Sequence, residues 1–243
     1  RGLIIILVIM FFAGTIEFIQ SFLPSRSATM SDFFYGLGGG VAAVFIVSGV
    51  RNRNKLRGIF LLLGFSVVSA SLVPFAMVAY DDFRAWRDFP ILSDFESSLD
   101  LLRWSSECDA KRVRSPVKAG AYSLQIKIPP GKYPGISLLH FPQNWNQAKG
   151  LQFSVYNPGE PVMLNIRVHD TTHESSHQMY FQDRYNGKQQ IALGWNKIVI
   201  PIEAIKIAPD GRQMNVGEIK NFRIFLANNS QERILYIDEV KLL

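Results

Sequence analysis

The polar side chains best placed to do chemistry near the start of the chain lie within or beside apolar sequence. Glu17 is the one charged residue of the run 2–23, and Gln20 follows it at a spacing that puts both on one helix face. Arg26 and Asp32 come shortly afterwards. An ionisable side chain in such a run is costly unless it is paired or faces water. Glu17 and Arg26 therefore form either a structural ion pair or a polar pocket for a lipid-linked or head-group ligand.

A second set of polar and aromatic side chains lies further along the chain. Within 162–169, polar residues alternate with apolar ones and so occupy one face of a predicted strand. The next predicted strand, 178–185, adds aromatic and charged residues, and the loop 141–147 adds a tryptophan. Sugar recognition requires flat apolar rings together with planar polar groups. The expected ligand-binding residues are Trp145, Asn165, Arg167, His169, Tyr180, Asp183, Arg184 and Tyr185.

Histidine spacing gives a weaker signal for chemistry. His169, His173 and His177 would share one face of a helix and could there hold a metal ion. The segment is rich in Ser and Thr and lies between two predicted strands, which argues against a helix. Asp170 and Glu174 are close in sequence, yet no nucleophile and base can be placed at a known distance. A metal site or a hydrolase centre is therefore not favoured.

Charge is distributed unevenly along the 243 residues. Residues 1–93 contain 13 charged side chains and residues 94–243 contain 33, which excludes a single soluble globule. The 18 Phe, 8 Tyr and 4 Trp exclude a disordered chain. The two parts share the net charge of +6 equally, so no basic domain indicates a nucleic-acid partner. Cys108 is the one cysteine, which excludes an intramolecular disulfide and predicts a buried or half-exposed thiol.

Three apolar runs predict the elements that position the first set of polar residues. Runs 2–23 and 58–80 are long enough, at about 1.5 Å per residue, to cross a hydrocarbon core of about 30 Å. The run 33–50 is shorter and glycine-rich, but it contains no charge and predicts a third span. Residues 1–80 are therefore expected to form a membrane α-helical bundle with the lipid bilayer as a partner, followed by a linker at 81–93.

Basic residues in the short loops predict the orientation. The loop 51–57 carries four basic residues, whereas 24–32 carries only Arg26, so 51–57 is expected in the cytoplasm. Counting through the spans places everything after Tyr80 outside. The chain is thus expected in the cytoplasmic membrane as a multi-pass protein with a periplasmic or extracellular C-terminal domain. Because it opens with Arg1 rather than Met, a further upstream segment is also expected.

Period-two alternation dominates the remaining residues, 94–243. Apolar and polar residues alternate in short runs separated by turn sequences, which is typical of half-buried strands. About eight to ten such strands predict an all-β antiparallel sandwich of jelly-roll type, with Trp195 in its core. The runs are 121–128, 151–157, 162–169, 178–185, 196–202, 221–227 and 234–243.

Two stretches carry a resemblance to known families. In about residues 1–57 the spacing resembles the membrane motif of the VanZ-like family, through Glu17, Gln20, Pro24, Arg26, Asp32, Gly36 and Gly40. This resemblance implies a small multi-span membrane protein, and some members are linked to low-level resistance to the glycopeptide antibiotic teicoplanin. Members usually begin with an earlier span, which this chain does not show.

The segments 94–97, 194–202 and 235–243 resemble the galactose-binding-like jelly rolls found in many carbohydrate-binding modules. This resemblance implies that the first and last strands lie together and bind a structural calcium ion, for which Glu96 and Asp238 are the matching carboxylates. The alternative is that both are ordinary carboxylates at strand ends.

The leading hypothesis from sequence is a VanZ-like membrane protein whose C-terminal sandwich binds cell-envelope carbohydrate, with a role in glycopeptide resistance or envelope maintenance. One alternative is a membrane enzyme that acts on a lipid-linked envelope precursor through Glu17 and Arg26, with Asp32 as a further candidate. Another is that the sandwich is an assembly module that docks a protein partner.

Overall fold

The computed structural model describes residues 30–52, 54–175 and 180–243. The chain divides into two compact units at Met77 and Val78. The first predicted span, 2–23, lies outside the described residues, as do Glu17, Gln20, Pro24, Arg26 and His177.

Two long apolar helices lie at the start of the described residues, and the second of them continues past Met77 into the second unit. These are α1 (Met30–Arg51) and α2 (Leu56–Arg87), the latter with Pro74 inside it. Phe34–Arg51 has a mean hydropathy of 1.4 and α2 reaches 2.2, so both are long and apolar enough to cross a membrane. Most of their apolar side chains face outward, which is the pattern of helices whose solvent is lipid. The described residues thus contain two candidate membrane helices, and the three-span bundle stays a prediction.

Small residues lie where the two helices pack closely together. A Cβ atom on Gly64 of α2 would lie 2.5 Å from Ile46 Cγ1 and 3.1 Å from the Ala42 carbonyl oxygen of α1. Gly49 of α1 is similarly close to Leu61. Small residues permit this approach, because apolar helices in lipid associate through close packing. Gly36 and Gly40 lie on α1 as well, where Gly36 is exposed.

The second unit is a sandwich of two antiparallel sheets. The strands are β1 (Ile91–Ser93), β2 (Trp104–Ser106), β3 (Asp109–Val113), β4 (Ser123–Ile128), β5 (Gly135–Leu138), β6 (Gly150–Asn157), β7 (Val162–Asp170), β8 (Tyr185–Ile191), β9 (Gly194–Pro201), β10 (Ile219–Phe225) and β11 (Arg233–Leu242). One sheet has the order β3-β4-β11-β6-β9, with β1 paired to β11. The other has the order β2-β5-β10-β7-β8. Short helices are a 3-10 helix at Ser98–Arg103, α3 (Thr171–Ser175) and α4 (Ile202–Lys206).

The core lies between the two sheets and follows from the alternation in each strand. Phe153 of β6 and Phe222 of β10 are fully buried, and their ring centroids are 5.2 Å apart across the gap between the sheets. Trp104 of β2 contacts Phe222 edge-on at 6.3 Å. The residues on the other face of each sheet are consequently free to form a surface.

The segment 81–93, predicted as a linker, is mostly regular structure. Helix α2 continues to Arg87, and β1 begins at Ile91 and pairs with β11. Asp81 is buried and accepts two hydrogen bonds of 2.9 Å from the Arg103 guanidinium at the end of the 3-10 helix. This paired charge explains why the helix continues into sequence that looks like a polar connector. The first and last strands lie side by side, as the jelly-roll resemblance implies.

One predicted strand is displaced along the chain. Within 178–185, the residues 180–184 form a turn and bend, and the strand runs instead over Tyr185–Ile191. The Asp183 amide donates to the Tyr180 carbonyl oxygen over 3.1 Å, and the Asp183 carboxylate binds Arg212 from a distant loop. These contacts favour a turn where the alternation of residue types indicates a strand.

Candidate functional site

The outer face of the five-stranded sheet carries a row of polar residues across four strands. Ser137 of β5 lies opposite Arg223 of β10, Arg223 lies opposite Arg167 of β7, and Arg167 lies opposite Asn186 of β8. Side chains directly opposite each other in antiparallel strands have Cβ atoms about 5 Å apart. The register therefore brings two guanidinium groups together in the middle of the sheet.

Aromatic side chains flank this row. Tyr133 and Phe181 are 53% and 62% exposed, and Phe225 is half-buried beside them. The Tyr133 and Phe225 rings meet edge-on, with centroids 6.0 Å apart. Gly135 makes room for Phe225, since a side chain at this position would collide with Phe225 and the backbone of Ile224.

The two arginines of this row and the three aromatic side chains line a cavity of about 680 Å³, which we call the sheet groove. Its volume is within the range of small-ligand sites. The lining residues are Glu107, Pro129, Pro130, Gly131, Lys132, Tyr133, Pro134, Arg167, Phe181, Arg184, Arg223 and Phe225. A groove with exposed rings and planar donor groups can stack on a ring-shaped ligand and hydrogen-bond its edge.

The arginines of the sheet groove differ in their partners. Arg223 donates to Glu107 Oε2 over 3.2 Å and to the Tyr133 carbonyl oxygen over 2.9 Å. Arg184 donates to Asn186 Oδ1 over 3.1 Å, and its guanidinium lies 5.4 Å from the centre of the Phe181 ring. Burial, together with the positive charges of Arg184 and Arg223, lowers the pKa of Arg167 to about 10. Arg167 is therefore still protonated at neutral pH.

The sheet groove contains two of the eight ligand-binding residues predicted from sequence, Arg167 and Arg184. Asn165 shares the outer face but is buried, opposite Phe225. Tyr180 is exposed and is not among the residues that line the groove. His169 and Asp183 belong to a separate cluster at the end of β7.

Three aromatic predictions need correction. Trp145 is fully buried, and its indole N–H donates to the Pro142 carbonyl oxygen over 3.1 Å, so the ring is not a stacking platform. Tyr185 lies opposite the core residue Val168 and packs against the core, so it does not face a ligand. Trp195, expected in the core, lies half-buried on the outer face of the other sheet, 5.4 Å from Tyr156.

Sequence reasoning missed Tyr133, Phe181, Arg223 and Phe225, all of which line the groove. Within β10, Arg223 and Phe225 alternate with the core residues Phe222 and Ile224, so their outward position was readable from the pattern. Tyr133 follows Pro129, Pro130 and Gly131 in a turn sequence that carries no signal for a ligand. Only the pairing of β10 with β5 and β7 shows that these residues share a surface.

The cluster at the end of β7 is a network of ion pairs. Asp170 accepts hydrogen bonds of 2.7 and 2.9 Å from the Arg212 guanidinium, and Arg212 also binds Asp183. Burial opposes its charge, but the bonds from Arg212 and two backbone amides still lower the pKa of Asp170. His173 Nδ1 lies 3.3 Å from Asp183 Oδ2, and His169 Nε2 lies 2.7 Å from Glu174 Oε2. These contacts fasten α3 and the loop at 212 to the end of the sheet.

Among the described residues, no group of three or more His, Cys, Asp or Glu side chains is placed to hold a metal ion. The rings of His169 and His173 are 4.7 Å apart, but each pairs with a carboxylate. Cys108 is buried in the core, and burial raises the pKa of its thiol.

Glu96 and Asp238, the carboxylates matched to calcium, both accept hydrogen bonds from backbone amides. Asp238 accepts from Lys118, Ala119 and Glu239, and Glu96 Oε1 accepts from Ala121 and Tyr122. Three of the four carboxylate oxygens thus accept hydrogen bonds from amides, and only Glu96 Oε2 does not. Because calcium takes six to eight oxygen ligands, these two carboxylates alone do not make a calcium site. The observed contacts tie the segment 118–122 to the sandwich, and calcium binding stays a prediction.

His169 makes stability depend on pH. Burial lowers the pKa of His169 to about 4, whereas an unfolded histidine titrates near 6.5. Between these values the unfolded chain binds a proton that the folded chain does not, so the free energy of unfolding falls as the pH drops from 6.5 to 4. We expect a loss of roughly 3 kcal/mol over this window. Denaturant unfolding of the full chain in detergent, at several pH values, measures it.

The variant His169→Gln should flatten this dependence, and His140→Gln, at an exposed position, should leave it unchanged. Burial raises the pKa of Asp100 to about 6, which gives an opposite slope, but this contribution is common to all three proteins and cancels in the comparison. An identical slope in His169→Gln and the unchanged protein would contradict the assignment.

Comparison with known proteins identifies the fold of the sandwich. No protein-family model and no curated protein sequence matches the chain. The fold is similar to the family 11 carbohydrate-binding module from Clostridium thermocellum, solved in complex with a β-1,3-1,4-mixed-linked tetrasaccharide. The TM-score is 0.50 at 16% identity, over 63% of this chain and 94% of that chain.

Two further similar structures have lower TM-scores. The family 11 module of a cellulosomal cellulase of Clostridium thermocellum has a TM-score of 0.47 at 15% identity, over 63% of this chain and 92% of that chain. An exo-β-agarase has a TM-score of 0.48 at 12% identity, over 63% of this chain and 24% of that chain. On the similarity to the family 11 module with a TM-score of 0.50, the C-terminal part of this chain is a β-sandwich that resembles the jelly rolls of carbohydrate-binding modules.

The VanZ-like resemblance is not supported, because no family model matches the chain. Of its seven motif residues, Asp32, Gly36 and Gly40 lie on α1, and the other four lie outside the described residues. The link to glycopeptide resistance has no support either, since it came only from that resemblance.

Proposed function

We propose that the chain is a membrane-anchored glycan-binding protein, whose sandwich holds cell-envelope carbohydrate in the sheet groove outside the cytoplasmic membrane. The two apolar helices support the anchor. The four basic residues in the loop 51–57 support its orientation, because short cytoplasmic loops are rich in Lys and Arg. The jelly-roll fold is compatible with glycan binding but does not by itself define a ligand.

The observation that carries the proposal is the combination of groups in the sheet groove. Tyr133 and Phe181 are each more than half exposed, and aromatic rings of this kind bury an apolar sugar face at little cost in side-chain entropy. Arg167 and Arg184 line the same groove and offer planar donors for hydroxyl or carboxylate oxygens. An apolar partner in this groove would bury these guanidinium groups without offering them acceptors, which is unfavourable.

The test is binding of the full chain in detergent micelles to polysaccharides, with mixed-linked β-glucan as the first probe because the similar family 11 module was solved with such a tetrasaccharide. We expect saturable binding to at least one envelope or plant-type glycan. The double variant Tyr133→Ala with Phe181→Ala should weaken it at least tenfold, or about 1.4 kcal/mol.

Phe83→Ala is the matched control, because Phe83 on α2 is 61% exposed, as Phe181 is 62% exposed, and does not line the groove. It should leave the affinity within twofold. Absence of binding to every glycan tested, or an equal loss in the control, would rule out the sheet groove as a glycan site.

A further inference from the structure

The middle of the sheet groove contains two positive charges in an unfavourable arrangement. Arg167 and Arg223 lie directly opposite each other on neighbouring strands. Like charges in this position destabilise a sheet. An ion pair with Glu107, whose side chain is 67% exposed, compensates part of the positive charge of Arg223. No ion pair involves Arg167 or Arg184 within the described part of the chain.

Arg167 also has an unused donor. Its Nε atom is buried and has no hydrogen-bond partner among the described residues. A buried donor without an acceptor costs free energy, typically about 1–3 kcal/mol. The positive charges of Arg184 and Arg223 add to the burial that already disfavours the charged guanidinium. An arrangement with this cost indicates that an acceptor arrives from outside the chain.

The charged side chains that line the groove give it a net positive charge. Its charged lining residues, among those described, are Lys132, Arg167, Arg184, Arg223 and a single acid, Glu107. Guanidinium groups bind carboxylate, sulfate and phosphate oxygens in pairs, with hydrogen bonds stronger than those to neutral acceptors. A neutral sugar would leave most of this charge uncompensated.

We propose that the ligand of the sheet groove is an acidic glycan, with its anionic group held between Arg167 and Arg223 and its sugar rings against Tyr133 and Phe181. This inference rests on the proposed glycan-binding function and adds the chemical class of the ligand. Lys132 and Arg184 also line the groove and extend its positive surface toward neighbouring acidic units of the same glycan.

The test compares charged and uncharged polysaccharides that share a backbone. The full chain in nanodiscs of zwitterionic phosphatidylcholine is titrated with polygalacturonate and with its fully methyl-esterified form, which keeps the sugar chain and removes the carboxylate charge. A second pair, dextran sulfate and dextran, tests sulfate in the same way. We expect the charged member of at least one pair to bind at least tenfold more tightly, and its affinity to fall as the NaCl concentration rises.

Arg167→Gln should weaken binding of the charged probe at least tenfold. If Arg167→Gln does not fold, Arg184→Gln is the variant to test, and it should weaken binding of the same probe. Lys197→Gln is the control, because it removes one positive charge from an exposed site on β9, in the other sheet. It should change affinity less than twofold. An equal loss in Lys197→Gln would show general attraction by the net charge of +6 and would overturn the proposal.

The remaining outcomes separate this inference from the function on which it rests. If the uncharged members bind as tightly as the charged ones and binding requires Tyr133 and Phe181, the groove binds glycans and the acidic preference is wrong. If neither pair binds and mixed-linked β-glucan does not bind, both proposals fail.

Discussion

Replacing Asp81 with asparagine should destabilise the sandwich by about 3 kcal/mol, a large part of the stability of an ordinary domain. Asp81 and Arg103 each expose about 3% of their side chains and meet through two hydrogen bonds of 2.9 Å. Asparagine keeps the shape but removes the negative charge. The Arg103 guanidinium then stays buried with the carbonyl oxygens of Leu92 at 2.9 Å and of residue 81 at 3.4 Å, and with Asp100 at 3.7 Å. An unpaired buried charge is the costly state, more than the loss of the attraction itself.

The measurement is thermal or denaturant unfolding of the full chain in detergent, followed by tryptophan fluorescence. A loss of about 3 kcal/mol corresponds to roughly 6–12 °C in the midpoint for a domain of this size. Asp82→Asn is the matched control, because Asp82 is the next residue on α2 and is exposed; it should shift stability by less than about 0.5 kcal/mol. Equal effects of the two variants would contradict the burial of this pair.

A double replacement separates charge from packing. Asp81→Leu combined with Arg103→Met removes both charges and fills the space with apolar atoms. It should recover most of the stability lost in Asp81→Asn, since buried ion pairs are often no more stabilising than apolar residues of similar volume. Failure to recover would mean that the second unit needs the hydrogen bonds between Asp81 and Arg103 themselves.

Trp145→Ala should cost about 3–5 kcal/mol, the range for removing a buried aromatic ring. Trp145 is fully buried, lies 5.6 Å from the Phe141 ring and donates its indole N–H to the Pro142 carbonyl. Alanine leaves a cavity that the surrounding strands fill only in part. Unfolding in denaturant measures the loss, and Trp86→Ala, at a position 67% exposed, should cost less than about 0.5 kcal/mol.

This variant also decides between two roles for the residue. The sequence predicts that Trp145 stacks on a ligand, and in that case Trp145→Ala would weaken glycan binding while leaving stability intact. The structure assigns the ring to the core. Unchanged stability with lost binding would therefore contradict the observed burial, whereas lost stability agrees with it.

The strands could be predicted from sequence wherever one face of the strand is buried. The alternation in 151–157 and 162–169 gave β6 and β7 almost to the residue, because a period of two is the direct consequence of one face packing on the core. The same pattern failed at 178–185. There Asp183 binds Arg212, which is distant in sequence, and local alternation contains no information about such a partner.

The site was only partly predictable for a related reason. Arg167 and Arg184 lie in the segments 162–169 and 178–185, whose own polar and aromatic residues predict ligand binding. Arg223 and Tyr133 join them only through the pairing of β10 with β7 and β5, and sheet order is set by the packing of the whole domain. Trp145 was misassigned because a loop sequence does not reveal that its backbone bonds back to Val216.

The facing arginines on β7 and β10, Arg167 and Arg223, imply a conflict between the thermal stability of the protein and its affinity for a ligand. Variants selected only for resistance to heat would be expected to lose Arg167 early, because a neutral residue there removes repulsion and an unsatisfied donor from the resting protein. Such variants would gain thermal stability, but they would bind the ligand more weakly, because Arg167 is the groove residue best able to bind an anionic group. Selection for more thermostable variants of this protein therefore has to include a measurement of ligand binding at every round.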